Sequence, residues 1–428
     1  MTLARATRNA LNRERHLLTL AGLFMAVTAI NLSVATDEIV GPVALLAIWL
    51  AAAISGHLLL QRMLPRRDPL FFPIAMLLSG WGLLEIHRLA PAFAWRQAAW
   101  LLLAVAGMLA ITTLPAHMRW LRRFRYTWLT GGLLLLLVSI LLGVNPSGEG
   151  PRLWLGVAGF YFQPSELLKI VLVIFLASYL SDYREALIPG TGHQRYPSLR
   201  ALGPLLLMWG LCMVVTIWQQ DLGAATMLFV VFLTLLYIAS GQGIYVFVGL
   251  LMLLLAVVVA YRMFSVVDLR IEVWLNPWPE ASGRGFQIVQ SLMAFAAGGV
   301  LGQGIGQGAP VFVPVVHSDF IFAAIGEEWG LIGAMVVITA LAVLVMRGMQ
   351  LAALWSDSPF RMLLAAGLSV QLATQSLLIT GGVLKIIPLT GVTLPFMSYG
   401  GSSLLMTFIL VGLLLALSSP PTPTEGMP

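Results

Sequence analysis

The 428-residue chain is 59% hydrophobic and only 10% charged, and its formal net charge is +6. Soluble domains carry about 25% charged residues, so the composition excludes a soluble globular protein and predicts an integral membrane protein. The basic excess does not point to nucleic acid, because the lysines and arginines are concentrated between apolar stretches. Cys212 is the only cysteine, which excludes an intrachain disulfide and a cysteine metal site.

Twelve apolar stretches, each about as long as a helix that crosses a bilayer, recur along the chain. Backbone groups in lipid need hydrogen-bond partners, so stretches of this length favour helices over barrel strands. We therefore predict an all-α polytopic membrane protein. In chain order, the predicted spans are 17–36, 41–60, 70–88, 95–114, 127–144, 165–181, 202–218, 222–239, 244–261, 320–346, 361–381 and 400–417.

The distribution of basic residues predicts the orientation, because arginine and lysine are enriched in cytoplasmic loops. With the N-terminus inside, sixteen of the 24 basic residues face the cytoplasm, including the cluster "RWLRRFR" at 119–125. Both termini are then cytoplasmic. Residues 1–61 form an extra pair of helices, and 62–417 form a ten-helix core with a long extracytoplasmic loop at 262–319. The proline-rich tail 418–428 is predicted to be disordered.

Ionisable residues within or beside the predicted spans gather near the outer surface. Charges in a membrane are costly and usually functional, and a transporter or channel would distribute them along a path or at the midplane. The arrangement favours a site that is reached from outside, at the lipid boundary. The alternative is that these side chains only extend to the nearest water. The set comprises Glu85, Arg88, Glu166, Lys169, Asp221, Glu327, Glu328 and Lys385.

Three motifs on this side have both a structural and a functional interpretation. "GQGIGQG" at 302–308 is similar to a phosphate-binding glycine loop, but no βαβ unit precedes it, so a glycine-rich turn is favoured. His317 and Asp319 could bind a divalent ion or anchor the loop by hydrogen bonds, and two ligands are a weak signal. Glu166 and Lys169 share one helix face, as a local ion pair or as the polar wall of a binding site.

Glu280 is a carboxylate within "NPWPEASGRGFQ" at 276–287, between prolines and glycines. Beside Arg270 or Arg284 it would stay ionised, as a general base must. The alternative interpretation is a solvated acid on a surface loop.

Five blocks of sequence carry a family resemblance. They are "RLWLGVAGFYFQPSELLKI", "QQDLGAA", "NPWPEASGRGFQIVQSLMAF", "HSDFIFAAIGEEWGLIG" and "PLTGVTLPFMSYGGSSLL", in this order. Together they closely resemble the SEDS family (shape, elongation, division and sporulation), which includes RodA and FtsW. The resemblance covers residues 68–417. It implies the ten-helix SEDS fold for the third to twelfth spans, with two extra N-terminal transmembrane helices.

The resemblance also implies a function: a peptidoglycan glycosyltransferase of the bacterial cytoplasmic (inner) membrane, with its active site facing outside. Its expected substrate is lipid II, the undecaprenyl pyrophosphate-linked disaccharide pentapeptide. A carboxylate would deprotonate the acceptor 4-hydroxyl, and undecaprenyl pyrophosphate would leave. The expected partners are a class B penicillin-binding protein and membrane lipids, without nucleic acid, and Mg²⁺ or Mn²⁺ is a candidate cofactor.

Residue roles follow from the same resemblance. Glu280 is the expected catalytic residue, and Lys169 and Arg152 are expected to hold the pyrophosphate, oriented by Glu166 and Asp221. The expected substrate-binding positions are Arg152, Gln163, Ser165, Glu166, Lys169, Asp221, Gln287, Ser291, His317, Asp319, Glu327, Ser398, Ser402 and Ser403.

The chain departs from the family pattern at two places. Gln220 replaces the proline of the family's "QPDLG" motif, beside Asp221. Glu280 stands where the family normally has Asp, and Ala281 replaces the following proline. Glu moves the carboxylate outward by one methylene, and a small misplacement can remove much of the rate. A catalytically weak scaffold for a penicillin-binding protein is therefore an alternative. A lipid II flippase is disfavoured, because the cytoplasmic halves of the spans are nearly free of charge.

Overall fold

The computed structural model describes residues 2–113, 117–146, 148, 151–157, 159–187 and 199–419. These residues form α-helices joined by short segments, with one small β-hairpin. In chain order the elements are α1 (Thr2–Thr36), α2 (Val40–Met63), α3 (Phe71–Leu89), α4 (Pro91–Thr112), α5 (His117–Arg123), α6 (Arg125–Leu142), β1 (Leu155–Val157), β2 (Phe160–Phe162), α7 (Pro164–Leu187), α8 (Leu199–Trp218), α9 (Leu222–Ser240), α10 (Gly243–Met263), α11 (Ser265–Leu275), α12 (Phe286–Gly298), α13 (Ile321–Glu328), α14 (Gly330–Leu354), α15 (Pro359–Val383) and α16 (Gly401–Ser418). Two short 3-10 helices lie at Trp278–Glu280 and Pro310–Phe312.

Eleven of the twelve predicted spans each correspond to one helix, and the all-α polytopic class is confirmed. Among the described residues, ten helices are long and apolar enough to cross a membrane, and α3 and α8 are not among these ten. The predicted orientation of the termini stays a prediction. Of the predicted disordered tail, residues 420–428 lie outside the described residues.

The tenth predicted span, 320–346, differs from the structure because it is divided into α13 and α14. Gly330 has φ 66°, the left-handed region, and a side chain there would clash with the backbone of Val300 and Gly302. Apolar composition alone does not reveal this break, since residues on both sides of it are hydrophobic. The apolar helix that is long enough to span begins at Gly330.

The first of two compact units comprises residues 1–116, 291–351 and 393–428. In it α4 packs most extensively against α16, and α1 packs on α3. Trp49 of α2 is fully buried, and its indole N–H donates to the Met76 carbonyl of α3 at 2.8 Å. The rings of Phe24, Trp81 and Trp329 pack in edge-to-face and tilted arrangements with centroids 4.9–5.3 Å apart. The N-terminal helix pair is thus an integral part of this unit.

The second compact unit comprises residues 117–290 and 352–392. Its centre is α7, which packs against α6, α9 and α15. Of the ten candidate spans α7 has the largest buried share, 83%, whereas no part of α10's most apolar segment is buried. A polar side chain in the first turns of α7 is therefore enclosed by protein, and α10 is suited to face lipid on most of its surface.

A β-hairpin leads into α7. Strands β1 and β2 are antiparallel, with Leu155 opposite Phe162, and Gly159 in the connection has φ 82°. Because each strand has only three residues, the alternating pattern is too short to predict from the sequence. The hairpin sets the path by which Gln163 and Ser165 reach the start of α7.

Candidate active site

Asp221 organises a polar network where α7 and α9 begin. One carboxylate oxygen accepts from the Ala224 N–H at 3.0 Å and caps α9. The other accepts from the Ser165 hydroxyl at 2.9 Å and from the Gln163 amide at 3.1 Å. The sequence-predicted residues Gln163, Ser165 and Asp221 therefore lie together. In the described part of the chain Asp221 forms no ion pair with Lys169 or Arg152.

Glu166 and Lys169 form a buried ion pair on the first turns of α7. The Lys169 ammonium lies 2.6 Å from a Glu166 carboxylate oxygen, and both side chains are nearly inaccessible to solvent. Burying an unpaired charge is costly, and here each buried charge has an opposite charge beside it. Glu166 directly follows Ser165, so the pair is adjacent to the Asp221 network on α7.

Arg152 lies in the exposed segment before β1, between the bridge residues Val144 and Trp154. No described carboxylate is within ion-pair distance of its guanidinium. It therefore differs from Lys169, whose charge is already balanced. An exposed guanidinium of this kind can form two parallel hydrogen bonds with a phosphate.

The loop around Glu280 is a tight turn. Residues Trp278–Glu280 form a 3-10 helix, and the Glu280 carbonyl accepts from the N–H groups of Gly283 and Gly285 at 2.9 and 3.1 Å. A Cβ at Gly285 would lie 2.6 Å from the Pro277 carbonyl oxygen, so only glycine fits there. The turn leads directly into α12 and leaves Glu280 exposed.

Arg284 binds the Glu280 carboxylate with two parallel hydrogen bonds. Its Nε and Nη2 donate to Oε2 and Oε1, each at 2.6 Å. These hydrogen bonds favour the ionised carboxylate, so they hold the pKa of Glu280 below its ordinary value. Arg270, the other arginine considered from the sequence, instead donates to the Thr390 carbonyl.

In the first unit, Ser398 holds together two segments. Its hydroxyl donates to the Ser318 carbonyl and accepts from the Leu394 N–H. Its carbonyl accepts from the buried Gln97 amide at 3.1 Å, and Gln97 also accepts from the Gly400 N–H. Sequence reasoning missed Gln97, although a lone amide inside an apolar span is a usable signal.

His317 lies between aromatic rings. Its imidazole stacks on Phe93 with ring centroids 4.8 Å apart, and its carbonyl accepts from the Tyr399 N–H at 2.8 Å. Burial lowers the pKa of His317, because desolvation disfavours the imidazolium. Asp319 accepts from the Ser318 hydroxyl at 2.9 Å.

Glu327 and Glu328 bind the glycine-rich loop. Glu327 accepts from the Ala309 N–H at 2.7 Å, and Glu328 accepts from the Gly306 N–H at 3.0 Å and pairs with Arg88. The loop thus directs N–H groups at protein carboxylates, which fits a glycine-rich turn better than a phosphate loop. The sequence predicts that Glu327 binds substrate, but in the structure it binds this loop.

The remaining predicted positions are distributed over both units. Gln287 is partly exposed on the first turn of α12, Ser291 and Ser402 are buried, and Ser403 shares a hydrogen bond with Thr393 at 2.7 Å. No group of three His, Cys, Asp or Glu side chains among the described residues could hold a metal ion. The described residues therefore do not form a metal site from protein ligands alone. The Mg²⁺ or Mn²⁺ that the family resemblance implies stays a prediction.

Comparison with known proteins places this arrangement in a family. The family model for FtsW, RodA and SpoVE, described as a cell cycle protein, matches residues 70–421. The peptidoglycan glycosyltransferase RodA of Mycobacterium tuberculosis is 40% identical over 378 residues, covering 85% of this chain and 80% of that protein. The probable peptidoglycan glycosyltransferase FtsW of Geobacter sulfurreducens is 34% identical over 355 residues, covering 81% of this chain and 91% of that protein.

Solved structures show the same fold. A chain from a peptidoglycan synthase complex that coordinates polymerization and crosslinking is 26% identical, with TM-score 0.69, and the match covers 82% of this chain and 97% of that one. The rod shape determining protein RodA of Thermus thermophilus, at 24% identity, has TM-score 0.59 over 82% of this chain and 96% of its own. Since the family model also includes all candidate site residues from Arg152 to Ser403, this chain belongs to the FtsW/RodA/SpoVE family, the SEDS family.

Proposed function

We propose that this protein is a peptidoglycan glycosyltransferase that polymerises glycan strands from lipid II in the outer leaflet of the bacterial cytoplasmic membrane. Family membership and the names of its relatives support the glycosyltransferase activity. The choice of lipid II and of the outer leaflet rests on the sequence resemblance and on the predicted orientation. The observation that carries the proposal is an exposed, ionised carboxylate at Glu280, held by Arg284.

In the proposed reaction, Glu280 takes the proton from the 4-hydroxyl of the acceptor sugar. The resulting oxygen nucleophile attacks the anomeric carbon of the donor, and the bond from that carbon to undecaprenyl pyrophosphate breaks. A single displacement inverts the α linkage of the donor into a β linkage. Arg284 takes one hydrogen-bond position on each oxygen of Glu280, so the acceptor hydroxyl would donate to a remaining lone pair of the carboxylate.

The leaving pyrophosphate needs positive charge. We assign this role first to Arg152, because its exposed guanidinium is without a carboxylate partner among the described residues. Lys169 is buried and neutralised by Glu166, so it contributes only if the substrate draws it away from that partner. Gln163, Ser165 and Asp221 hold the start of α9 beside this turn of α7. No step of the proposed reaction uses a metal ion.

A class B penicillin-binding protein is the partner that we propose. Its support is the structural similarity to a chain from a complex that coordinates polymerization with crosslinking. One observation favours a second function, a catalytically weak scaffold for that partner. The two hydrogen bonds from Arg284 lower the pKa of Glu280, and a carboxylate with a lowered pKa is a weaker base at neutral pH.

Polymerisation of lipid II by the purified protein, with and without its partner, tests both functions. We expect glycan polymer from the wild type and a loss of at least 100-fold in Glu280→Gln, which keeps the size of the side chain but cannot accept the proton. Glu280→Asp restores the usual family residue and should retain activity. Glu272→Gln, which changes an exposed acid on the same loop, is the matched control and should be active.

Polymer formation that survives in Glu280→Gln would exclude Glu280 as the base without excluding the enzyme. An absence of polymer under all conditions, with the partner still bound, would support the scaffold.

A further inference from the structure

An open cleft of about 570 Å³ lies between the first turns of α1 and the segment that follows α2. Its lining includes Arg8, Asn12 and Arg15 from α1, and Gln61 and Arg66 from the other side. All of these residues belong to the first compact unit and precede residue 70, where the family model begins to match. The cleft is therefore separate from the proposed active site and from the part of the chain that defines the family.

The cleft has an uncompensated positive charge. No carboxylate lines it, and no described carboxylate is within ion-pair distance of Arg8, Arg15 or Arg66. Glu14, the nearest acid along α1, is buried and pairs with Arg67 at 2.6 Å. Three guanidinium groups thus face one space without an anion from the described residues.

Arg15 is held in place by two side chains of α2. Its Nε donates to His57 Nε2 at 3.3 Å, and its Nη2 donates to the Gln61 amide oxygen at 3.1 Å. The other imidazole nitrogen of His57 bonds to Glu14 at 2.7 Å. The acceptors of Arg15 are an imidazole nitrogen and an amide oxygen, so these bonds orient the guanidinium without adding a carboxylate to the cleft. An oriented, uncompensated guanidinium is suited to bind a phosphate.

The cleft also borders an apolar surface. Leu58 and Leu59, in the last turns of α2 and close in sequence to Gln61, are 52% and 42% exposed, and Leu20 on α1 is 61% exposed. On helices that are apolar enough to span a membrane, such side chains face acyl chains. The arginines of the cleft therefore lie beside an apolar surface. A phospholipid has the same two parts, a charged headgroup and apolar acyl chains.

We propose that this cleft is a binding site for the phosphate headgroup of an anionic phospholipid, with the acyl chains lying along the exposed faces of α1 and α2. Basic pockets between membrane helices bind anionic headgroups on the cytoplasmic side, and the cleft lies on the side that the arginine distribution predicts to be cytoplasmic. A free phosphate compound would satisfy the same arginines but would not use the leucine surface.

Native mass spectrometry of the full-length protein in detergent tests the site, with palmitoyl-oleoyl phosphatidylglycerol as the probe. The parallel titrations use phosphatidylcholine with the same acyl chains, and glycerol 3-phosphate as a free headgroup. The cleft variant is Arg8→Gln with Arg66→Gln, since both side chains are exposed and neither holds another residue. The control is Arg62→Gln with Arg123→Gln, which removes the same charge from exposed positions outside the cleft.

We expect phosphatidylglycerol to bind the wild type and the control with similar affinity, and the cleft variant about 25-fold more weakly, at about fivefold per arginine. Phosphatidylcholine should bind more weakly than phosphatidylglycerol, and glycerol 3-phosphate should not compete at equal concentration. An unchanged melting temperature in phosphatidylcholine will show that the cleft variant is folded, and Arg8→Lys with Arg66→Lys should retain most of the affinity.

Equal loss of affinity in the cleft variant and the control would overturn the proposal, because the arginines would then act only as diffuse surface charge. Equal binding of the two lipids, or effective competition by glycerol 3-phosphate, would overturn it as well.

Discussion

Arg284 determines how Glu280 can act as a base. Its two hydrogen bonds keep the carboxylate ionised and orient it, but they also occupy both oxygens and weaken its affinity for a proton. In this chain the partner of the carboxylate is therefore Arg284, four residues further along.

The pH dependence of polymerisation should report this pair. Glu280 works as a base when ionised, and its pKa lies below the ordinary value, so the rate of the wild type falls only when the pH drops through that lowered pKa. Arg284→Gln removes the main cause of the shift, and we expect the acidic limb of kcat/KM to move to higher pH. The control is Arg270→Gln, because the Arg270 guanidinium contacts the Thr390 carbonyl. The acidic limb of kcat/KM should not move in this variant. An acidic limb that is identical in all three proteins would exclude Glu280 as the titrating base.

Gln220 shows why the missing proline matters for the backbone. Its φ is 60°, in the left-handed region that proline cannot adopt, and its N–H donates to the Ile217 carbonyl at 2.9 Å. The turn that places Asp221 before α9 therefore differs from any turn that contains proline at this position. The substitution affects the geometry of the turn, and it is not only a change in rigidity.

Replacing Gln220 by glycine and by proline should change the free energy of unfolding in opposite directions. Gln220→Gly relieves the left-handed strain and should raise the free energy of unfolding by about 1 kcal/mol. Gln220→Pro removes a hydrogen bond and forces φ to change, which should cost about 3 kcal/mol or more. Unfolding in one fixed detergent measures both, with Gln242→Gly as the control, since Gln242 has φ −102° and should gain nothing. A stable, active Gln220→Pro variant would contradict this account of the turn.

The connection between α12 and α13 depends on a buried ion pair. Arg88 of α3 pairs with Glu328 of α13 and also donates to the Gly308 carbonyl at 2.7 Å, while Glu328 binds the Gly306 N–H. A loop with several left-handed glycines thus obtains a fixed shape from two charged side chains on helices. We infer that this pair has a structural role.

Removing one partner of the Arg88–Glu328 pair should lower the free energy of unfolding. Glu328→Gln removes the carboxylate that pairs with Arg88 and leaves Glu85 as the remaining acid near that guanidinium. We expect a loss of about 3 kcal/mol in the free energy of unfolding. Adding Arg88→Met removes the charge that has lost this partner and should recover much of that loss. The comparison is Arg122→Gln, which removes a half-exposed partner of Asp182 and should cost less than about 1 kcal/mol. Equal costs for the buried and the exposed pair would show that burial does not decide the outcome.

The whole chain illustrates which features a sequence makes predictable. Hydropathy located the ten helices of the described residues that are long and apolar enough to cross a membrane, because a bilayer demands long apolar segments, whatever their neighbours are. Local pairs such as Glu166 and Lys169 were also predictable, since helix geometry places i and i+3 on one face. Family motifs supplied the candidate site residues, which composition alone could not identify.

Other features depend on long-range packing and could not be read from spacing. The break at Gly330 follows from the close approach of Val300 and Gly302, and Gln97 meets Ser398 only because α4 packs near the 393–400 segment. The close integration of α1 and α2 was unpredictable for the same reason, because their sequences resemble those of any lipid-facing helices.

Removal of the N-terminal helix pair tests that integration. Lipid can replace many apolar contacts of α1 and α2, since acyl chains are as apolar as leucine. It cannot replace the carboxylate of Glu14 beside buried Arg67, or the indole N–H of Trp49 at the Met76 carbonyl. We therefore expect deletion of residues 1–61 to lower the melting temperature in detergent sharply, with aggregation on size-exclusion chromatography.

Adding Arg67→Met removes the buried charge that has lost its partner and should recover part of the loss. Leu50→Ala, on the exposed face of α2, should have little effect. A truncated protein as stable as the full chain would mean that α1 and α2 are only peripheral additions, despite the buried Trp49 and the Glu14–Arg67 pair.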